Sequence, residues 1–323
     1  MYYAGSGGQW DRRTFLGALA AVAGSLLAGW RADGQAQSTV VLARAHNLES
    51  ILRTPHYQHI LDLLTAALRL LTGEVTDADA RRRHFGINDR VAVQIAASPV
   101  PVIPEFVDAV CTTAARAGVP IERLFIYSAD ENELYRAGFA LKREGPGVRC
   151  YGARSEGYRD GVSKLLGPEI TVIVNVPCLS PHPQAGLAGA IPNFINSVGN
   201  GLVHESYAEG GARLPAILNL RAFKERTRLH IMDCLTPAYD LPEGKPPARW
   251  RYDGLLLATD PVALDAVALA ILHAKRRQVA GGDWPLDPYP VYLERAAQQY
   301  GLGTSDLASI NLVRLKPMDD DLV

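Results

Sequence analysis

The segment Thr259-Asp260-Pro261, followed by Asp265, carries the residue types best suited to chemistry. Thr259 and Asp260 directly precede a proline at the start of a predicted helix, so one of these two residues is expected to cap that helix. Asp265 lies inside the same, otherwise apolar helix, where a buried carboxylate needs a partner. Two interpretations remain open: Asp265 ties the helix to a neighbouring loop by hydrogen bonds, or it binds a metal ion or a substrate.

A second polar region follows a buried strand that ends near residue 176. His182 lies in a Pro-His-Pro loop, and His204 follows about twenty residues later. Between them, Asn193, Asn196 and Asn200 recur at spacings of three and four, so they share one face of a helix. Such an amide stripe is suited to an anionic or hydroxylated ligand, or it is simply a helix end that runs into a glycine turn.

Together these residues predict a polar site. The proposed metal ligands are His182, His204, Asp260 and Asp265, a set suited to a hard or borderline divalent ion. His182 and Asp265 are the candidates for catalysis, with His182 as ligand or base. Asn193, Asn196, His204 and Thr259 are the candidate ligand-binding residues. Sequence spacing alone does not show that they converge.

Other reactive residue types have weaker claims. His56 and His59 are interpreted as exposed residues at a helix start, and Cys178 as a partly buried structural thiol in a candidate loop. The four cysteines are far apart in sequence, which excludes ferredoxin-type runs, so no iron–sulfur cluster is expected. A divalent metal ion is the one cofactor that the residues suggest.

Strands alternate with helices along the chain, which predicts an α/β fold with a mainly parallel sheet flanked by helices in three layers. Residues 74–89 and the proline-rich residues 236–250 are predicted to be loops. The predicted strands cover residues 40–45, 90–97, 123–128, 147–152, 170–176, 229–234, 254–258 and 310–315. The predicted helices cover residues 54–71, 104–117, 131–144, 185–198, 261–275 and 289–300. Because ligands bind beyond the carboxyl ends of such strands, the candidate site loops at the carboxyl edge of a parallel sheet are 97–101, 177–183, 234–237 and 258–261.

The first residues predict export. Arg12 and Arg13 precede Phe15-Leu16 and an apolar run over residues 17–29, a pattern typical of a twin-arginine signal peptide. We expect residues 1–36 to be this signal and residues 37–323 to be one α/β domain, with 37–153 and 154–323 as an alternative division into subdomains. The expected location is periplasmic or extracellular, reached in the folded state.

Charge and hydropathy restrict the classes of partner that we expect for this protein. The formal net charge is −1 and no basic stripe is present, so a nucleic acid partner is not expected. No second apolar run of about 20 residues follows the signal, so no membrane span is expected in the mature chain. An unknown small ligand or a protein remains as the partner.

The two polar regions resemble the domain of unknown function 362 family. The matching residues are Val174-Asn175-Val176-Pro177, His182, Gly186, Gly189-Ala190, Asn193, Gly199, His204, Asp233 and Thr259-Asp260-Pro261 with Asp265. The resemblance covers most of the mature chain and is strongest over residues 170–315. It implies the fold and the position of a site more firmly than a reaction. Where the family has lysines this chain has Ser180 and Pro192, and Gln94–Ser98 replaces its Lys-Pro-Asn, which argues against an anionic substrate. The attached iron–sulfur module of many relatives has no counterpart here.

Two functional hypotheses follow. The first is an exported protein whose His, Asn and Asp residues bind a metal ion or a small polar ligand, with metal-assisted or acid–base catalysis as an extension. The second is a non-catalytic binding or assembly module, in which the proline-rich loop docks a partner protein. A redox protein is a weaker third hypothesis, suggested only by the export route.

Overall fold

The computed structural model describes residues 37–45 and 57–315, whose core is a single eight-stranded sheet. The strands are β1 Ser38–Arg44, β2 Val91–Ile95, β3 Leu124–Ser128, β4 Arg149–Gly152, β5 Tyr158–Arg159, β6 Val162–Ser163, β7 Val172–Val176, β8 Ser180–His182, β9 Gly186–Ala188, β10 Thr227–Cys234, β11 Ala238–Asp240, β12 Ala248–Arg249, β13 Gly254–Ala258 and β14 Ile310–Leu315. The helices are α1 Tyr57–Thr72, α2 Asp77–Arg82, α3 Pro104–Arg116, α4 Glu131–Arg136, α5 Ala190–Asn193, α6 Asn200–Ser206, α7 Ala208–Gly211, α8 Leu214–Leu218, α9 Arg221–Lys224, α10 Pro261–Ala280 and α11 Tyr292–Gln298. A 3₁₀ turn, Phe194–Ser197, continues directly from α5.

The large sheet has the strand order β14-β1-β13-β10-β7-β2-β3-β4. Strands β10, β7, β2, β3 and β4 are all parallel to their neighbours within that run. Strand β13 alone among these eight runs against both of its neighbours, β1 and β10. Helices cover both faces, which confirms the predicted three-layer α/β fold with a mainly parallel sheet.

The reversed strand β13 corrects one expectation. Cys234, at the carboxyl end of β10, pairs with Gly254 at the amino end of β13. The carboxyl end of β13, which leads to Asp260, therefore lies at the opposite edge of the sheet from the carboxyl ends of β2, β7 and β10. The prediction that loop 258–261 shares an edge with loops 97–101, 177–183 and 234–237 is wrong, because it assumed that β13 was parallel.

The two faces of the sheet carry different layers. Segment 190–197, together with α8 and α10, packs on the face that Gln94 and Asn175 point to. Helices α1 and α3 pack on the other face, where the Ile103 backbone at the start of α3 lies close enough to Asp233 to oppose the rise in its pKa that burial causes. Side chains of a strand alternate between faces, so Asp233 and His230, three residues apart, face opposite layers.

Several predicted elements differ in extent. Residues 74–89 contain the short helix α2, which Thr76 caps by accepting a hydrogen bond from the Asp79 backbone N–H at 3.1 Å, so their prediction as loop is wrong. Helix α4 ends at Arg136, well before residue 144, ahead of Gly138 with its positive φ. The predicted helix 185–198 is instead strand β9, helix α5 and a 3₁₀ turn, and loop 236–250 contains the β11–β12 hairpin.

Parts of the sequence predictions lie outside the described residues. These are the twin-arginine segment over residues 1–36, the helix start at Thr54 and Pro55, and His56. Within residues 37–45 and 57–315, no helix is long and apolar enough to cross a membrane. The four cysteines, Cys111, Cys150, Cys178 and Cys234, are buried as free thiols.

Candidate functional site

Four polar side chains form a row across adjacent parallel strands in the middle of the sheet. Gln94 of β2 pairs with Tyr127 of β3 on one side and with Asn175 of β7 on the other. Asn175 in turn pairs with His230 of β10. All four are at most 2 % exposed, although polar groups in a sheet core are costly unless they are hydrogen-bonded. We call these residues the polar row.

Hydrogen bonds join the members of the polar row. The Gln94 Oε1 accepts from the Tyr127 hydroxyl at 2.6 Å and from the Ser197 hydroxyl at 2.5 Å. The Asn175 Nδ2 lies 3.1 Å from the His230 Nδ1. An amide nitrogen can only donate a hydrogen bond, so the His230 Nδ1 accepts it. His230 is therefore in the tautomer that carries its proton on Nε2. Each polar side chain is satisfied by another neutral group.

The polar row also holds segment 190–197 against the sheet. The Gln94 Nε2 donates to the Asn193 carbonyl at 2.6 Å, and the Asn175 Nδ2 donates to the Ala190 carbonyl at 2.8 Å. The Asn193 Nδ2 returns a bond to the Asn175 Oδ1 at 2.7 Å. A helix of four residues is not stable alone, so these bonds fix its position.

Asn193 and Asn196 carry the network from the sheet towards the surface. The Asn196 Nδ2 donates to the Asn193 Oδ1 at 2.9 Å and, more weakly, to the Ile95 carbonyl at 3.4 Å. Asn193 is 7 % exposed, whereas Asn196 is half-buried. Of the predicted stripe, Asn193 and Asn196 meet at the carboxyl end of β2. The prediction that Asn200 shares their helix face is wrong, because the backbone is extended at Val198 and Gly199 and Asn200 begins the separate helix α6.

That position is the point where the strand order reverses. From β2 the chain passes to α3 on one face and proceeds to β3, whereas from β7 it passes to segment 190–197 on the other face and proceeds to β10. In open α/β sheets, ligands bind outside the carboxyl ends of strands at such a switch point. Ser98 and Pro99, in the loop after β2, are exposed there. We call Ser98, Pro99, Asn193 and Asn196 the switch-point site.

The switch-point site rests on uncharged groups. Burial lowers the pKa of His230 to about 3, so its imidazole is neutral at physiological pH. Burial likewise raises the pKa of the Tyr127 phenol above its usual range, so it keeps its proton. Ser180 and Pro192 are both buried and bring no charge. The arrangement suits hydrogen bonding to a neutral ligand.

Asp265, a residue of helix α10, also contacts segment 190–197. This fully buried carboxylate accepts hydrogen bonds from the Ala190 N–H at 2.5 Å, the Ile191 N–H at 3.1 Å and the Tyr292 hydroxyl at 3.1 Å. It thus caps α5, whose preceding residue Gly189 supplies no side-chain cap. Burial raises the pKa of Asp265 to about 7, against the opposing effect of these three donors. The contacts match the interpretation in which Asp265 ties its helix to a neighbouring segment.

Asp260 is occupied by structural contacts at the opposite edge of the sheet. Its Oδ1 accepts from the Val262 and Ala263 N–H groups at 2.8 and 2.9 Å, which confirms the predicted cap of α10. Its Oδ2 accepts from the Ser38 hydroxyl at 2.5 Å and the Thr304 N–H at 3.1 Å. Asp260 therefore holds the start of β1 and loop 301–304 to the helix.

His182 is held by bonds to both ring nitrogens. Its Nδ1 accepts from the Gln184 and Ala185 N–H groups, both at 3.1 Å, and its Nε2 lies 3.0 Å from the Tyr207 hydroxyl. The imidazole also stacks on the Tyr207 ring, with 5.1 Å between centroids. Burial lowers the pKa of His182 to about 4. In this arrangement neither nitrogen is free to bind a metal ion.

The remaining predicted site residues stand apart. His204 is exposed on α6, and Thr259 is exposed before the cap of α10. Across residues 37–45 and 57–315, no three His, Cys, Asp or Glu side chains are grouped so that they could hold a metal ion. The structure thus does not gather His182, His204, Asp260 and Asp265 into one centre.

Sequence reasoning missed the polar row, although a signal was present. The strands VAVQI, LFIYS and VIVNV each carry a polar or hydroxylated side chain at the fourth of five positions: Gln94, Tyr127 and Asn175. A polar group in a short buried strand needs a partner, and the same position in adjacent parallel strands places such groups side by side. Ser197 and His230 complete the network but have no comparable pattern.

The fold and this site define an α/β protein with a mixed, mainly parallel sheet and a neutral polar network at its switch point. Residues 166–270, about a third of the chain, match the sequence model of the family described as Domain of unknown function (DUF362). The matched range includes Asn175, Asn193, Asn196 and Asp265, whereas Gln94 lies outside it. No curated protein and no solved structure matches the chain.

Proposed function

We propose that this protein binds a small, uncharged polar ligand at the switch-point site, without catalysis. The observation that carries the proposal is the chain of amides from the buried polar row through Asn193 to the half-buried Asn196. A buried network of this kind is costly to build and rigid when satisfied, and it presents a preorganised group at its exposed end.

The residues that would be needed for catalysis support a binding role instead. Both nitrogens of His182 are engaged, and Asp265 is fully buried with three hydrogen-bond donors around it. Asp260 caps its own helix. These groups therefore stabilise the fold, and metal binding by the predicted set is not part of the proposal.

The proposal includes an exported location, on the strength of the Arg12-Arg13 motif and the apolar run that follows it. An exported ligand-binding protein is consistent with the family match, which names no reaction.

The test is ligand-observed NMR on the mature protein with myo-inositol, ribose, urea and propionamide as neutral probes, and propionate as a charged control. We expect one or more neutral probes to bind, and binding to be lost in Asn196→Ala. The matched control is Asn311→Ala, since Asn311 is an exposed asparagine on β14, five strand positions from β2. Binding of no neutral probe, or equal loss in both variants, would contradict the proposal.

A further inference from the structure

The hydrogen bonds of the network have a fixed direction, and this direction determines what Asn196 offers to a ligand. Both amide hydrogens of Asn196 are used, one by the Ile95 carbonyl and one by the Asn193 Oδ1. Within the described residues, no donor reaches the Asn196 Oδ1. Because this oxygen has no such partner and is not buried, it is accessible to solvent.

Backbone carbonyls prevent the network from reversing. A flipped Asn196 would place its oxygen against the Ile95 carbonyl and the Asn193 Oδ1, two contacts between acceptors. A flipped Asn193 would face the Asn175 Oδ1 with its own oxygen, and a flipped Asn175 would face the Ala190 carbonyl. Carbonyl oxygens only accept hydrogen bonds, so the orientation of each of these three side-chain amides is set.

The deeper end of the network fixes the same direction. Gln94 uses both amide hydrogens within the network, towards the Asn193 carbonyl and, at 3.5 Å, the Asn175 Oδ1. Its oxygen is held by the hydroxyls of Tyr127 and Ser197, which lie in a fully buried layer. Rotation of this amide would break two short bonds at once.

We infer that the switch-point site selects ligands that donate a hydrogen bond, such as a hydroxyl or a primary amide. This inference rests on the proposed function and names the ligand chemistry of the same site. The uncharged surroundings add a second criterion, since no described cation lies in the network to attract a carboxylate. A group that only accepts, such as an ester or a ketone, has no hydrogen to share with the Asn196 Oδ1. The Ser98 hydroxyl donates or accepts equally well, so it does not discriminate between the two kinds of ligand.

Two probes of similar size separate these properties. Propionamide carries N–H donors, whereas methyl acetate has acceptors only. Each is titrated into ¹⁵N-labelled mature protein while the side-chain amide signals of Asn196 and Asn193 are followed. We expect propionamide to bind at the site about fivefold more tightly than methyl acetate, the ratio that one net hydrogen bond gives.

A variant at Asn196 tests whether its oxygen causes the preference for propionamide over methyl acetate. In Asn196→Ser the hydroxyl can donate as well as accept, so the preference for propionamide is expected to fall towards parity. Equal binding of both probes by the unmodified protein, or tighter binding of methyl acetate, would overturn the donor rule and leave the ligand site standing. If neither probe perturbs Asn193 or Asn196, the donor rule is overturned, whereas the proposed function fails only if none of its own neutral probes binds. The comparison in the unmodified protein does not depend on how the variant folds.

Discussion

The replacement Asp265→Asn tests how the buried carboxylate supports the site. Burial raises the pKa of Asp265 from its ordinary value of 3.8 to about 7. Between these two pH values the folded protein binds more protons than the unfolded chain, so stability is lost as pH rises from about 4 to about 7. Asparagine has nearly the same shape but does not titrate.

The magnitude follows from the difference between the two pKa values. About 3 pH units correspond to about 4 kcal/mol of unfolding free energy, which is an upper value because other groups moderate it. We therefore expect the stability of the natural protein relative to Asp265→Asn to fall by about 2 to 4 kcal/mol between pH 4 and pH 7.5. The buried Asp233, whose pKa burial raises to about 6, is common to both proteins and cancels.

Urea denaturation of the mature protein at pH 4, 5.5 and 7.5 measures this difference. The control is Asp62→Asn, an exposed carboxylate on α1, which should change the pH profile little. A stability difference independent of pH would show that the pKa of Asp265 is not raised in the folded protein. A difference that grows with pH would show that the three donors around Asp265 outweigh its burial and keep its pKa low.

Four further outcomes are expected. Gly189→Ala places a Cβ against the Asp265 carboxylate and should cost about 1–3 kcal/mol by thermal denaturation, whereas Gly201→Ala, with nothing within 4 Å, should be neutral or stabilising. Tyr127→Phe removes one of two donors to the Gln94 Oε1 and should cost about 1 kcal/mol; an unchanged unfolding free energy would argue against the buried network. Replacing Arg12 and Arg13 by lysine should prevent export, seen by cell fractionation as unprocessed protein in the cytoplasm; normal export would contradict the signal prediction. Deleting Pro242–Pro247, at the tip of the β11–β12 hairpin, should leave probe binding unchanged and remove any copurifying protein partner. Retention of such a partner would exclude the loop as its docking segment.

The sheet was largely predictable because its strands are short, buried and separated by clear turn residues. Gly254–Ala258 and Ile310–Leu315 were predicted at their observed bounds. Direction was not predictable in the same way, since a buried strand has the same apolar pattern whether its neighbours are parallel or antiparallel. The reversal of β13 therefore separated Asp260 from the loops at the carboxyl edge.

The candidate site was predictable in part for a related reason. Spacing on a helix is local, so the meeting of Asn193 and Asn196 could be expected from the sequence. The partners of Asp265 are 75 and 74 residues away at Ala190 and Ile191, and only tertiary packing brings them together. For the same reason the four proposed metal ligands could not be tested by spacing.

The polar row leaves a partial signal in the sequence. Gln94 and Asn175 interrupt otherwise apolar strands at matching positions, and this interruption is visible without coordinates. Their order across the sheet requires the topology, because β7 pairs with β2 although about 80 residues separate the two strands.

The most direct test of the central claim is a crystal structure of the mature protein soaked with propionamide. The account predicts the probe at the switch-point site, with its nitrogen about 3 Å from the Asn196 Oδ1. It also predicts that the Asn196 Nδ2 still contacts Asn193. A probe bound elsewhere, or an Asn196 amide turned so that its nitrogen meets the probe carbonyl, would contradict it.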